Sequence, residues 1–194
     1  MHINVISAEP VQGQEKTLFR TFTSGAGTDV VLRRLKWSDL DDLLELHNEL
    51  IEEEAMIGGD KALTRDQQVD RQADMMKDVE KGRSVVVVAE ADGKAVGMTN
   101  ARSRGGRLRH TAGLGIFVRK GYRGQGIGSE MMREMETQAW KTGIEVLYLE
   151  VYSISPAVEL YKRLGYTEYG RLPGGIKFRG GYVDTVSMYK LMGG

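Results

Sequence analysis

The sequence predicts a single mixed α/β domain of the α+β type, with helices on both faces of a mostly antiparallel sheet. Three observations carry that expectation. The apolar period changes repeatedly: helical spacing over residues 38–80, β-branched runs over 84–118, helical spacing again after Ile127, then strand, helix and two strands. The stretch 84–118 reads as a meander joined by tight glycine turns, and a single crossover, through 119–141, leads to the strand that follows. At 194 residues the chain is long enough for one full core and too short for two comfortable ones.

Taken in order, residues 1–28 read as an N-terminal extension with at most one strand, around 17–22, and residues 29–194 as the domain proper. A strand is expected at 30–35. Ser38 is placed to cap a helix with Leu40, Leu43, Leu44, His47, Leu50 and Ile51 on one face, closed by Gly58 and Gly59. A second helix at 65–80 turns Val69, Ala73, Met76 and Val79 inward. Residues 84–90 are nearly all β-branched, and 94–102 follow across Ala91-Asp92-Gly93 as a hairpin. Gly105-Gly106 turns the chain into a longer strand at 108–118. Ile127, Met131, Met132, Met135 and Ala139 then mark a helix that stops near Gly143. In the strand at 145–152, Leu147, Leu149 and Val151 share one face, and Tyr148, Glu150 and Tyr152 the other. Ser155 and Pro156 open a helix at 157–164 with Gly165 as its C-cap, and strands at 166–170 and 183–191 finish the chain.

Charge and composition narrow the function. Basic and acidic residues balance at 27 each, so there is no global pull toward nucleic acid or a membrane surface. Locally they do not balance. Residues 38–60 hold acids and no Lys or Arg, whereas 99–123 hold Arg102, Arg104, Arg107, Arg109, Arg119, Lys120 and Arg123 and no acid. The chain has no cysteine, which excludes disulfides, thiolate nucleophiles and Cys-based metal sites. His2, His47 and His110 are scattered without metal-ligand spacing, so no metal is expected. Neither a signal pattern nor a membrane-spanning apolar run is present, which predicts a soluble, cytoplasmic protein.

The most informative stretch is 119–129, between the long strand and the Met-rich helix. Gly124, Gly126 and Gly128 let the backbone approach a ligand closely, the helix start supplies unpaired N–H groups, and Arg119, Lys120 and Arg123 add positive charge. That composition holds phosphate. A Walker loop would need Lys and then Ser or Thr after the last glycine, and Ser129-Glu130 stands there instead. A dinucleotide fingerprint is nearer, since Gly124 and Gly126 are spaced for it and Glu150 follows on the next strand. Ser129 replaces its last glycine, however, and the first half of the chain supplies no consecutive βα units.

The run at 114–129 (LGIFVRKGYRGQGIGS), with Leu147-Tyr-Leu-Glu-Val151 and the Ala157-x-x-Leu-Tyr-x-x-Leu-Gly-Tyr166 pattern, resembles the GNAT superfamily of acetyl-CoA-dependent N-acetyltransferases. The order of elements matches over about 30–190 and the motifs match closely over 114–166. The resemblance implies a GNAT fold with a splayed strand pair at the cofactor site, and acetyl-CoA as cosubstrate. The pyrophosphate pattern falls on Arg123, Gly126 and Gly128, with Gly124, Gln125, Ile127 and Ser129 adding N–H groups. Ile116, Phe117 and Val118 would pair with the pantetheine arm, and the N–H of Phe117 or Val118 would polarise the thioester oxygen.

Tyr161 stands where the family often places a tyrosine near the sulfur, and a phenol can donate a hydrogen bond or proton to a leaving thiolate. It also belongs to an ordinary buried stripe with Leu160 and Leu164. Ile154 occupies the position of a frequent family asparagine, with Ser153 and Ser155 as nearby substitutes. The group that accepts the amine proton is open among Glu150, His110, Glu53, Glu54 and water. The implied reaction is direct transfer, in a ternary complex, to a primary amine of a small molecule. An N-terminal protein acetyltransferase of the ribosomal-protein type is the alternative, and a non-catalytic acyl-CoA binding or sensing module is the alternative of another class. Glu52, Glu53 and Glu54 form an acidic lip that either draws a cationic amine or is simply solvated. Arg102, Arg104, Arg107 and Arg109 read as an exposed hairpin tip, without the interleaved aromatics of a single-strand nucleic-acid platform. Tyr182 and Asp184 either face the acceptor or end the sheet. A homodimer is compatible with all of this.

Overall fold

The structure, a computed structural model, describes residues 18–193. Most of the expected extension, with His2, lies outside the described residues, as does Gly194. Eight strands form one sheet: β1 (Leu18–Thr23), β2 (Asp29–Arg33), β3 (Ser84–Ala91), β4 (Lys94–Ser103), β5 (Thr111–Val118), β6 (Val146–Tyr152), β7 (Thr167–Phe178) and β8 (Gly181–Leu191). Their order is β1-β2-β3-β4-β5-β6-β8-β7, and every neighbouring pair is antiparallel except β5 and β6. This is the open, mostly antiparallel α+β architecture the sequence predicts, and a doubly wound parallel sheet is excluded.

Helices α1 (Leu40–Glu52) and α2 (Arg65–Glu80) cover one face, α3 (Ile127–Lys141) and α4 (Ala157–Arg163) the other. Strand β3 lies beneath helices on both sides. Val85 and Val87 join Met131, Met132 and Met135 of α3, while Val86 and Val88 join Leu43, Leu46 and Leu50 of α1. That double burial explains why β3 is an unbroken β-branched run. Each such side chain contributes roughly 1.5–3 kcal/mol when fully buried. Among the described residues no helix is long and apolar enough to cross a membrane.

Several boundaries depart from the sequence reading. Ser38 does not cap α1; a 3₁₀ turn, Trp37–Asp39, comes first, and the Asp39 carboxylate accepts from the Lys36 N–H at 2.8 Å. Asp39 also takes a bidentate pair from Arg33 at 2.8 Å, with both side chains nearly inaccessible. The helix ends at Glu52 rather than near Gly58, because Glu54 adopts a left-handed φ of 51° and the Ala55 N–H closes on the Leu50 carbonyl at 2.8 Å. That is a Schellman-like stop with glutamate where glycine is usual. Leu46 is fully buried, whereas Leu44 and Ile51 are half-buried.

The span of α2 matches, with Thr64 and Gln67 forming a capping box, but its innermost residues are Gln68, Gln72 and Asp78 rather than Val69, Ala73 and Met76. Gln72 Nε2 donates to the Lys36 carbonyl at 2.8 Å, so the polar face satisfies the loop beneath it. A 3₁₀ turn, Gly106–Leu108, delays β5 to Thr111, and β7 continues well past Gly170 with a register shift between Leu172 and Ile176.

Candidate active site

The parallel pairing of β5 and β6 is short: Thr111, Ala112 and Gly113 face Val146, Leu147 and Tyr148. Beyond it β5 stays with β4 as far as Val118, and β6 stays with β8 as far as Tyr152, so the two strands part. Each then carries one unpaired backbone edge into a wedge-shaped slot. Tyr148 fills the apex, its hydroxyl lying 3.2 Å from where a Cβ on Gly113 would stand. Ile116 and Val118 turn toward the α3 side and Phe117 toward the α1 side. An added Cβ on Gly128 would meet Ile116, Val118 and Leu160 at 3.9 Å, which puts the first turn of α3 directly over the slot.

At its open end the slot meets the glycine loop. Gly124 and Gly126 take φ of 74° and 86°, conformations that disfavour any side chain, and nothing lies within 4 Å of a Cβ added to either. Gly126 caps α3 without a side-chain hydrogen bond, so the N–H groups of Ile127, Gly128 and Ser129 keep no helical partner. Ile127 itself is buried and anchors the helix. Backbone donors, positive dipole end and open space converge here, as a diphosphate requires.

The charged side chains of the loop are arranged differently from the sequence expectation. Arg119 donates to Glu49 at 2.9 Å and Glu45 at 3.1 Å, holding the Glu45 carboxyl below its usual range. Arg123 Nε donates to the Val118 carbonyl at 2.8 Å, and its guanidinium pairs with Glu53. Lys120 forms no ion pair among the described residues. Gln125 bridges the loop and the β1–β2 turn. Its Nε2 donates to the Gly121 carbonyl at 2.8 Å, its Oε1 accepts from Ser24 Oγ at 3.1 Å, and its carbonyl accepts from the Gly25 N–H at 2.9 Å. The β1–β2 turn therefore braces the phosphate loop, reinforced by an ion pair from Arg20 of β1 to Glu130 in the first turn of α3 at 2.5 Å.

Tyr161, on α4, is 7% exposed and packs edge-on against Tyr166 at 5.9 Å. Burial pushes its phenol up to about 12. The N-cap of α4 is Pro156 rather than Ser155, whose Oγ still accepts from the Ala157 N–H at 3.2 Å at the helix entry, while Ile154 is exposed.

On the opposite face of the sheet, Tyr148, Glu150 and Tyr152 stand alongside Phe117, with Ser187 paired to Glu150 across β8. Glu150 is exposed and makes no ion pair among the described residues. Tyr152 donates to the Ile57 carbonyl at 2.8 Å, tying the α1–α2 loop to the sheet, and burial raises its phenol. Arg179 at the β7–β8 tip reaches Glu54 at 2.8 Å and closes the same side. Of the other base candidates, Glu53 and Glu54 are committed to arginines, and His110 precedes β5 at its paired end, where its carbonyl accepts from the Glu145 and Val146 N–H groups. Asp184 accepts from the Gly174 N–H at 3.0 Å and shapes the hairpin, whereas Tyr182 is 76% exposed.

Sequence reasoning missed Ser24, Gly25, the Tyr152–Ile57 tie and the contact of Arg104 with Tyr148. Residues 24–28 read in the sequence as part of an extension, and nothing local to them announces a partner 101 residues away. Among the described residues no cluster of His or acidic side chains is arranged to hold a metal.

The Acetyltransferase (GNAT) family model matches residues 42–166. Among proteins with curated descriptions none matches the sequence. Similar solved structures include a ribosomal-protein-alanine N-acetyltransferase from Brucella melitensis, at 24% identity and TM-score 0.74, covering 82% of this chain and 98% of that one. A GNAT-family acetyltransferase from Streptococcus pneumoniae aligns at 25% identity and TM-score 0.76, over 84% of this chain and 99% of that one. A phosphinothricin acetyltransferase from Sinorhizobium meliloti, solved with acetyl-CoA, aligns at 19% identity and TM-score 0.76, over 89% and 90%. With a matched model spanning most of the chain and a sheet whose β5 and β6 part beside an uncapped α3, the chain belongs to the GNAT acetyltransferase family.

Proposed function

We propose that this protein transfers an acetyl group from acetyl-CoA to the primary amine of a small molecule, directly and without an acyl-enzyme. The observation that carries the reading is the slot between β5 and β6 opening onto Gly124, Gly126 and the free N–H groups of α3. The residues fit the cosubstrate. Backbone amides at 124–129 suit its diphosphate, and the free edge of β5 at Ile116, Phe117 and Val118 suits an extended amide-bearing arm. Acetyl-CoA supplies the activated acyl carbon.

The protein's own groups then have distinct tasks. The amine must be neutral to attack, and in this reading Glu150, exposed and without an ion pair among the described residues, takes its proton directly or through water. Tyr161 acts as a hydrogen-bond donor to the departing sulfur. Burial holds the Tyr161 phenol at about 12, above an ordinary thiol, so in this reading it donates a hydrogen bond to the departing sulfur rather than a full proton.

The test is calorimetry with coenzyme A, followed by thiol release from acetyl-CoA over a pool of small amines and short peptides, with Glu150→Gln alongside. Binding, turnover of a small amine and a kcat loss of roughly 10²–10⁴-fold in the variant are expected. Binding without acetyl consumption on any amine defeats the reading in favour of a sensing module.

A further inference from the structure

Formal charge and available charge differ around the acceptor face. In the sequence α1 ends in an acidic lip, Glu52, Glu53 and Glu54, but Glu53 is engaged by Arg123 and Glu54 by Arg179, and upstream of them Glu45 and Glu49 are engaged by Arg119. The arginines of the β4–β5 loop are not. Arg102 pairs with Asp78 at 2.7 Å, yet Arg104, Arg107 and Arg109 have no carboxylate within ion-pair distance among the described residues. The β4–β5 loop therefore brings an unpaired cation against the strand that carries Glu150.

Arg104 is the member of that group that reaches the site. Its guanidinium carbon sits 5.1 Å from the centroid of the Tyr148 ring, and Tyr148 closes the apex where β5 and β6 part. Stacking on an aromatic face holds a guanidinium in place while leaving its N–H fork free, the geometry that grips a carboxylate through two parallel bonds. Glu150 lies two residues further along the same strand face, about 7 Å on. One edge of the acceptor site thus carries a free cation and a free carboxylate side by side.

We infer that the acceptor is amino-acid-like, an amine with a carboxylate or comparable anionic group a few bonds away, with Arg104 reading the anion and Glu150 facing the amine. The inference rests on the acetyl-transfer reading and specifies its substrate class. Arg104 is a specificity residue in this account.

Matched acceptors decide it: free amino acids against the same amines lacking the carboxylate, at saturating acetyl-CoA, with wild type, Arg104→Ala and Arg104→Lys. Wild type is expected to favour the carboxylated member. Arg104→Ala should lower kcat/KM for that member roughly 10- to 100-fold, mainly through KM, and abolish the preference. Arg104→Lys should restore it in part, because a point charge lacks the fork. Arg104 is exposed, so an unchanged melting temperature shows that both variants fold. Equal loss on both members, or a wild-type preference for the carboxylate-free amine, overturns the assignment while acetyl transfer stands. A preference for acidic peptides over every free amino acid also overturns it, and no thiol release from any acceptor removes the transfer reading itself.

Discussion

Tyr161 shows how burial selects a chemical role. Its neighbour Tyr166 is raised too, by burial first and by Glu136 second, and Tyr152 by burial, so all three phenols remain neutral across the physiological range. A phenol whose folded pKa exceeds its unfolded value near 10 stabilises the fold fully below pH 10 and loses that contribution as pH rises through the folded value. For Tyr161 the loss falls between about pH 10 and 12 and is on the order of 3 kcal/mol. Thermal melts should therefore fall steeply above pH 10, and Tyr161→Phe should blunt the fall. A melting curve equally steep in the variant would show that Tyr161 does not carry it. At this scale the glycines of the phosphate loop were legible in the sequence, because a positive φ is a local demand. The side-chain partners of Arg119, Arg123 and Gln125 were not, because those partners come from α1 and from the β1–β2 turn.

Among the elements, the β1–β2 hairpin does more than extend the sheet edge. It lies outside the span matched by the family model, yet its turn supports the loop whose main chain faces the slot. Ser24 is 7% exposed and both donates to Gln125 and accepts from the Thr28 N–H at 3.2 Å. Removing a hydroxyl so engaged costs about 1 kcal/mol of loop order. Ser24→Ala is expected to weaken coenzyme A binding about fivefold by calorimetry, with kcat at saturating acetyl-CoA preserved and affinity recovered in Ser24→Thr. Unchanged affinity would mean that the loop holds its shape unaided. Helix α2 marks where pattern reading stops: its span follows from Thr64, Gln67 and Lys81, but its buried face follows from the polar loop it covers. Likewise α1 stops early because Glu54 takes a glycine-like conformation that nothing in its local pattern announces.

For the molecule as a whole, two apolar cores share one sheet, and the β-branched and methionine runs made that arrangement legible from the start. One buried polar knot sits beside them. Arg33 joins Asp39 at 2.8 Å and Glu90 at 2.5 Å, linking β2, the entry to α1 and β3. Arg33→Ala would strand a buried carboxylate and cost about 3–5 kcal/mol. Against a total stability of about 5–15 kcal/mol, that predicts a large drop in the urea midpoint. A shift within the scatter of surface variants would show the knot to be dispensable.

The grip of Arg123 on both the last carbonyl of β5 and the carboxylate of Glu53 has a kinetic consequence. In the acetyl-transfer reading, a diphosphate settling above Gly126 would compete for that guanidinium, and whatever it won would be taken from the end of α1, at the margin of the acceptor face. The cosubstrate would therefore reach the margin of the acceptor face through the Arg123–Glu53 pair. The arrival of nucleotide and amine is expected to be sequential, the nucleotide first, with the entrance for the second substrate finished by the first.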